Sequence, residues 1–183
     1  MKKLSIFLVA GILRGVLFAA DPGITQAEEL DKKWKRTKSL AAPVEKVRKG
    51  LTVEAAHSTA RDVEVTVDAD TEERFQNIQF ALDSDRLEGA TTFAQLAEIA
   101  KAMQMAGTEK FLIEGHTCDL GDDAHNLMLS QRRALAVKRH LNEAGVPAER
   151  LQVIGFGESD PATANTNETA RKQNRRVQIF RKL

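Results

Sequence analysis

The chain of 183 residues has room for one ordinary domain and a modest extension. Its 42% hydrophobic and 29% charged residues are the balance of a globular protein, not of a disordered or wholly membrane-embedded one. A net charge of +1 supplies no global field for nucleic acid, and the single cysteine, Cys118, excludes an internal disulfide framework and any zinc site built from several thiolates.

Lys2 and Lys3 precede an apolar stretch from Leu4 that continues, interrupted by Arg14, to Ala20. A positive flank, a short apolar core and then small residues describe a secretory signal peptide, with Thr25-Gln26-Ala27 as a cleavage site. The alternative, an uncleaved anchor, is short against the roughly 20 apolar residues that span a bilayer. The organisation expected is therefore a signal peptide over 1–27, a basic linker or short N-terminal extension over 28–71, and one domain over 72–183. Lys32, Lys33, Lys35, Arg36 and Lys38 surround Trp34 in the extension, which reads as a linker, a short solvated helix or a surface for anionic polymers. Val63 to Val67 alternates as a short strand would.

From Phe75 the pattern becomes regular. Phe75 to Leu82 alternates through Ile78 and Phe80 and predicts a strand ending at Asp83-Ser84-Asp85. Thr92 and Gln95 fit a capping box ahead of a helix whose apolar face carries Phe93, Leu96, Ala97, Ala100 and Met103, closed by Gly107. Phe111-Leu112-Ile113 reads as a buried strand running into Gly115-His116-Thr117. A longer helix is predicted from about Asp122 to Ala144, with Leu127, Ala134, Val137 and Leu141 as its stripe and Gly145 and Pro147 as its stop. Strands over Leu151 to Phe156 and Val177 to Phe180 complete the order. That order predicts an α/β domain of the α+β type: two layers, βαβαββ, with a mixed four-stranded sheet and helices on one face.

Three stretches, in order, carry a family resemblance. The first is Ile78-Gln79-Phe80-Ala81-Leu82-Asp83 with Leu87. The second is Ile113-Glu114-Gly115-His116-Thr117, followed by Gly121, Asn126, Leu129-Ser130, Arg133-Ala134 and Val137. The third is Arg150-Leu151, Gly155-Phe156-Gly157-Glu158, Pro161, Asn165 and Asn174-Arg175-Arg176-Val177. Together they resemble the OmpA C-terminal domain, shared with the Pal lipoproteins and the periplasmic part of flagellar MotB.

The resemblance implies a non-enzymatic protein of the periplasm and cell envelope. It would bind the diaminopimelate stem peptide of peptidoglycan, with envelope proteins as further partners and with no nucleic acid, cofactor or metal. It places the arginine that contacts the ligand on Arg133, a pocket-lining residue on Leu129, a loop brace on Asn126 and a pocket aspartate on Asp83. Arg176, with Arg175, matches the paired arginines before the last strand, as a ligand contact or as a structural clamp. An acid and an arginine together would read the ammonium and carboxylate at the free end of diaminopimelate, the arginine because its fork bonds both carboxylate oxygens.

One departure bears on this. Where the family places aspartate directly after Gly-His-Thr, this chain has Cys118, and Asp119 follows. Asp119 or Asp83 is then the expected partner of the ammonium. The alternative reading is the same fold with a weakened wall site and a protein partner. His116, Cys118, Asp119, Asp122 and His125 also form a local cluster of metal- and thiol-chemistry residues. A metal needs three or four converging ligands, however, and His125 falls at a packing position of the family. Nor is a basic C-terminus a nucleic-acid signal, because residues 72–183 hold 15 basic and 16 acidic side chains.

Overall fold

A computed structural model describes residues 23–40, 43–52 and 61–183. Of the signal peptide expected over 1–27, residues 1–22 lie outside the described residues. The elements in chain order are α1 (Ala27–Leu40), β1 (Glu45–Thr52), β2 (Arg61–Phe75), β3 (Gln79–Phe80), β4 (Leu87–Glu88), α2 (Ala90–Met105), β5 (Phe111–His116), α3 (Asp123–Glu143), β6 (Leu151–Gly157), α4 (Glu168–Asn174) and β7 (Val177–Lys182).

Among the described residues the main sheet has five strands in the order β1-β2-β7-β5-β6, and it curls until β6 meets β1 at Gly155 and Leu51. β5 and β6 run parallel; the other neighbours are antiparallel. The mixed sheet with helices is as the sequence predicts, but the expected four strands become five because β1 and β2 come from the segment read as a linker. Val63 to Val67 belongs to the main sheet, as part of a 15-residue strand.

Period-two alternation divides the sheet into two faces. Phe111, Ile113, Val153, Val177 and Ile179 pack beneath the helices together with Leu96, Ile99, Met103, Ala134, Val137 and Leu141. Leu112, Ile154, Phe156 and Phe180 turn the other way and meet Val65 and Val67 inside the curl. Where β2 slips register against β7 between Asp68 and Glu73, buried Asp68 and Arg181 pair at 2.6 Å. Thr71 Oγ1 accepts from the Arg181 N–H at 2.9 Å and donates to the Asp68 carbonyl at 2.6 Å, so the bulge leaves few donors orphaned.

The extension therefore belongs to the fold. α1 buries Ala27, Leu30 and Trp34, whose ring lies 4.7 Å from that of Phe111. Its approach is pinned by Thr25 N–H donating to Gln95 Oε1 at 2.8 Å and Gln95 Nε2 donating back to the Thr25 carbonyl at 2.9 Å. That use of Gln95 corrects the capping box. α2 begins after Gly89 with no side-chain cap, and Thr92 Oγ1 instead accepts from Gln79 N–H and donates to the Asn77 carbonyl. Phe93 is exposed, and Ile99 and Ala102 fill the helix face in its place.

The predicted strand over Phe75 to Leu82 is also displaced. β2 ends at Phe75, and Gln79–Phe80 pairs with Leu87–Glu88 in a separate small hairpin. Ala81 N–H donates to the Arg86 carbonyl and Asp83 takes φ 48°, so the chain turns there.

Candidate ligand-binding cleft

The candidate site lies where β5 and β6 end and β7 begins, the rim at which α/β sheets place ligands. Thr117 N–H donates to the Gly157 carbonyl at 2.8 Å and His116 N–H to the Arg176 carbonyl at 3.1 Å, joining three segments there. α3 is pressed onto this rim by two glycines. A Cβ on Gly115 would stand 2.1 Å from the Ser130 carbonyl oxygen, and one on Gly155 would stand 2.7 Å from Ser130 Oγ. Ser130 Oγ accepts from Gly157 N–H at 2.8 Å, which ties the helix to the strand end. The spacing of Asn126, Leu129 and Arg133 then brings all three, buried, to one face of α3.

The cleft encloses about 200 Å³ and is lined by Gln76, Ile78, Gln79, Phe80, His116, Arg133, Lys172, Arg175 and Arg176. Arg133 is 8% exposed. Its Nε donates to the Ser84 carbonyl at 2.9 Å and its guanidinium lies 5.0 Å from the Phe80 ring centroid. Its two terminal nitrogens have no hydrogen-bond partner among the described residues. Burial lowers the Arg133 pKa; Asp83 opposes that and the Arg175 charge reinforces it. Arg176 is held by the Asp160 and Asn174 carbonyls, with a buried Nε that no acceptor meets. Its burial brings the pKa down to about 10.

The remaining expected site residues take distinct places. Asn126 Nδ2 donates to Glu158 Oε2 at 2.7 Å and to the carbonyls of Leu120 and Cys118 at 3.1 and 3.3 Å. It braces the loop after β5. Cys118 is buried, and its Sγ accepts from Arg175 Nη1 at 3.6 Å, a weak acceptor where a carboxylate would pair with the guanidinium. Asp119 points away from the cleft to Arg171, which donates from Nε at 2.7 Å and holds its carboxyl below the usual range. Asp83 faces His125, 2.6 Å from Nε2. His125 is exposed and bonded to that turn, which corrects the packing role expected for it. The five residues of the metal- and thiol-type cluster bring no three ligand atoms within 4.8 Å of one another.

Arg175, expected with Arg176 as a ligand contact or clamp, lines the cleft. Two features escape sequence reasoning. Lys172 also lines the cleft. The second is a buried ion cluster directly under His116. Arg48 of β1 donates from Nε and Nη2 to both oxygens of Glu114 at 2.7 and 2.6 Å, and from Nη2 to Asp160 at 2.7 Å. Its guanidinium lies 4.3 Å from the Phe156 ring centroid, and His116 stacks on the same ring at 5.2 Å. Burial disfavours the charge on Arg48, but Glu114 and Asp160 outweigh it and raise the pKa further. Glu114, His116 and Asp160 are disposed as metal ligands are, yet Arg48 already occupies both carboxylates.

A family model described as the OmpA family matches residues 79–175, the stretch that builds this rim. The chain belongs to the OmpA family. It is 41% identical over 85 residues to the outer-membrane lipoprotein YfiB of Pseudomonas aeruginosa, matching 46% of this chain and 51% of that one. It is 32% identical over 109 residues to the peptidoglycan-associated lipoprotein of Pasteurella multocida, matching 59% and 71%. Among solved structures, the peptidoglycan-associated lipoprotein of Burkholderia pseudomallei superposes with a TM-score of 0.53 at 29% identity, over 57% of this chain and 87% of that one. The chain thus spans about half the length of the YfiB relative. The OmpA-family match begins at β3, so α1, β1 and β2 lie ahead of it. No helix among the described residues is long and apolar enough to cross a membrane.

Proposed function

We propose that this OmpA-family protein tethers its carrier to the cell wall in the periplasm by binding the stem peptide of peptidoglycan without catalysis. One observation carries the reading. The fork of Arg133 is held by Ser84 and Phe80, is almost wholly buried, and keeps both terminal nitrogens free of protein partners where it lines the cleft. A guanidinium fixed in that way suits the carboxylate of a diaminopimelate residue, which two parallel hydrogen bonds would hold. The names of the relatives from Pasteurella and Burkholderia support the ligand class, since both are described as peptidoglycan-associated.

Co-sedimentation of the full mature chain with purified peptidoglycan tests this. The wild type is expected in the pellet and Arg133→Ala in the supernatant, with thermal melts showing both folded. A wild type that stays in solution, or an Arg133→Ala variant that pellets equally, refutes it.

A second reading, capture of a protein partner at the same rim, is favoured by two exposed apolar side chains on the flanking loops. Leu82 is 98% exposed beside Asp83, and Leu120 is 57% exposed beside Asp119. Partner capture that survives Arg133→Ala but is lost in a Leu82→Ser, Leu120→Ser double variant would select it.

A further inference from the structure

Four cations face the cleft: Arg133, Lys172, Arg175 and Arg176. None of the cleft's lining residues carries a carboxylate. Each acid nearby is already paired. Asp119 is held through two of the Arg171 nitrogens, Asp83 lies on His125, Glu168 pairs with Arg175, and the Asp160 carboxylate is bound by Arg48. The position that follows His116-Thr117 presents a buried thiol whose sulfur accepts from Arg175.

An ammonium entering this cleft would meet like charges at short range and no anion, which costs free energy unless an ion pair is broken to receive it. A carboxylate would meet the reverse. It would gain the two free nitrogens of Arg133 and approach the Nε of Arg176, which is buried and orphaned. The charge on Arg133, disfavoured chiefly by burial and further by Arg175, would be stabilised by the same anion.

We infer that the cleft selects a purely anionic ligand end over a zwitterionic one: it reads the carboxylate of its ligand and rejects a neighbouring ammonium. The inference rests on the wall-peptide reading for the identity of the ligand but not for its charge. A wall peptide whose free-end amino group is absent or acylated is the preferred form, and Cys118 is the residue that determines specificity. Restoring a carboxylate there creates the missing counter-charge beside Arg175 and Arg133.

The test is calorimetric titration of the full mature chain with two matched stem peptides, one ending in diaminopimelate and one in the same skeleton without the free-end ammonium. Free diaminopimelate and free pimelate follow as a second pair. Wild type is expected to bind the anionic member of each pair about tenfold or more tightly, the discrimination that one charge-assisted hydrogen bond supplies. Cys118→Asp is expected to reverse the order, and Cys118→Asn, similar in size but uncharged, to leave it unchanged. A wild type that prefers the zwitterion, or a Cys118→Asp variant with an unaltered ratio, overturns the inference. If neither peptide binds but pimelate does, and more tightly than diaminopimelate, the wall reading fails and the charge selectivity stands. No response to any of the four ligands ends both.

Discussion

His116 shows how little of a residue's role its motif reveals. Within Gly-His-Thr it reads as part of a ligand loop, yet its ring is buried against Phe156, both ring nitrogens lack hydrogen-bond partners, and Nε2 stands 3.5 Å from Glu114. Burial lowers its pKa from the ordinary 6.5; Glu114 opposes this and Arg176 adds to it. The unfolded chain would take up a proton near pH 6.5 while the folded chain resists, so this contribution to stability is complete above that pH and declines as pH falls below it. Asp160 acts in a separate window. Burial works to raise its pKa, but Arg48 holds it below 3.8, so its contribution persists above that pH and is lost only under stronger acid. The melting temperature is expected to fall between pH 7 and pH 5, and to fall less in His116→Gln. Parallel slopes for the two proteins would remove His116 from the account. The shared face of Arg133, Leu129 and Asn126 on α3 was legible from their helical spacing, although of the three only Arg133 lines the cleft. Arg48 was not, since it meets Glu114 and Asp160 across 66 and 112 residues and no local pattern records such a pairing.

At the scale of elements, the helices and strands that sequence periodicity resolves are those with one apolar face. The helix predicted over Asp122 to Ala144 is α3 to within a residue at each end, and Asp122 caps it by accepting from His125 N–H. α1 was read at most as a solvated helix because its buried positions, Ala27, Leu30 and Trp34, are few and stand among lysines and glutamates. Most of β2 was hidden because its bulged middle is acidic, and only the folded structure supplies Arg181 to neutralise Asp68. The seat of α3 yields a sharper expectation. Gly115 lies so near the Ser130 carbonyl that any side chain must push helix and strand apart. Gly115→Ala should destabilise by about 1–3 kcal/mol or more, the usual cost of overpacking, and should weaken wall binding beyond the loss of folded protein because Arg133 moves with the helix. Unchanged denaturant midpoints in Gly115→Ala would contradict this packing.

For the whole molecule, the decisive fact is that the sheet is completed by the two early strands, β1 and β2, between Glu45 and Phe75. A fragment confined to 72–183 would lack all of β1 and most of β2. Glu114, fully buried, would lose Arg48, its ion-pair partner. Breaking such a pair from one side costs roughly 3–5 kcal/mol. Urea melts are accordingly expected to show the 72–183 fragment several kcal/mol less stable than a chain beginning at residue 23, with Glu114→Gln recovering part of the difference in the fragment only. Equal stability of the two chains would show that the early strands contribute nothing.

Asp160 bears on this in another way. Its carboxylate is held by Arg48 of the first strand, while its backbone carbonyl accepts from Arg176 in the cleft. One residue is thus gripped from both ends of the chain. Any coupling that passes through it is reciprocal: if ligand in the cleft steadies Arg176 and, through Asp160, the docking of the first strand, then a well-docked first strand raises affinity by the same factor. A protein fastened at its N-terminal side and at the wall would then hold each end more firmly for holding the other.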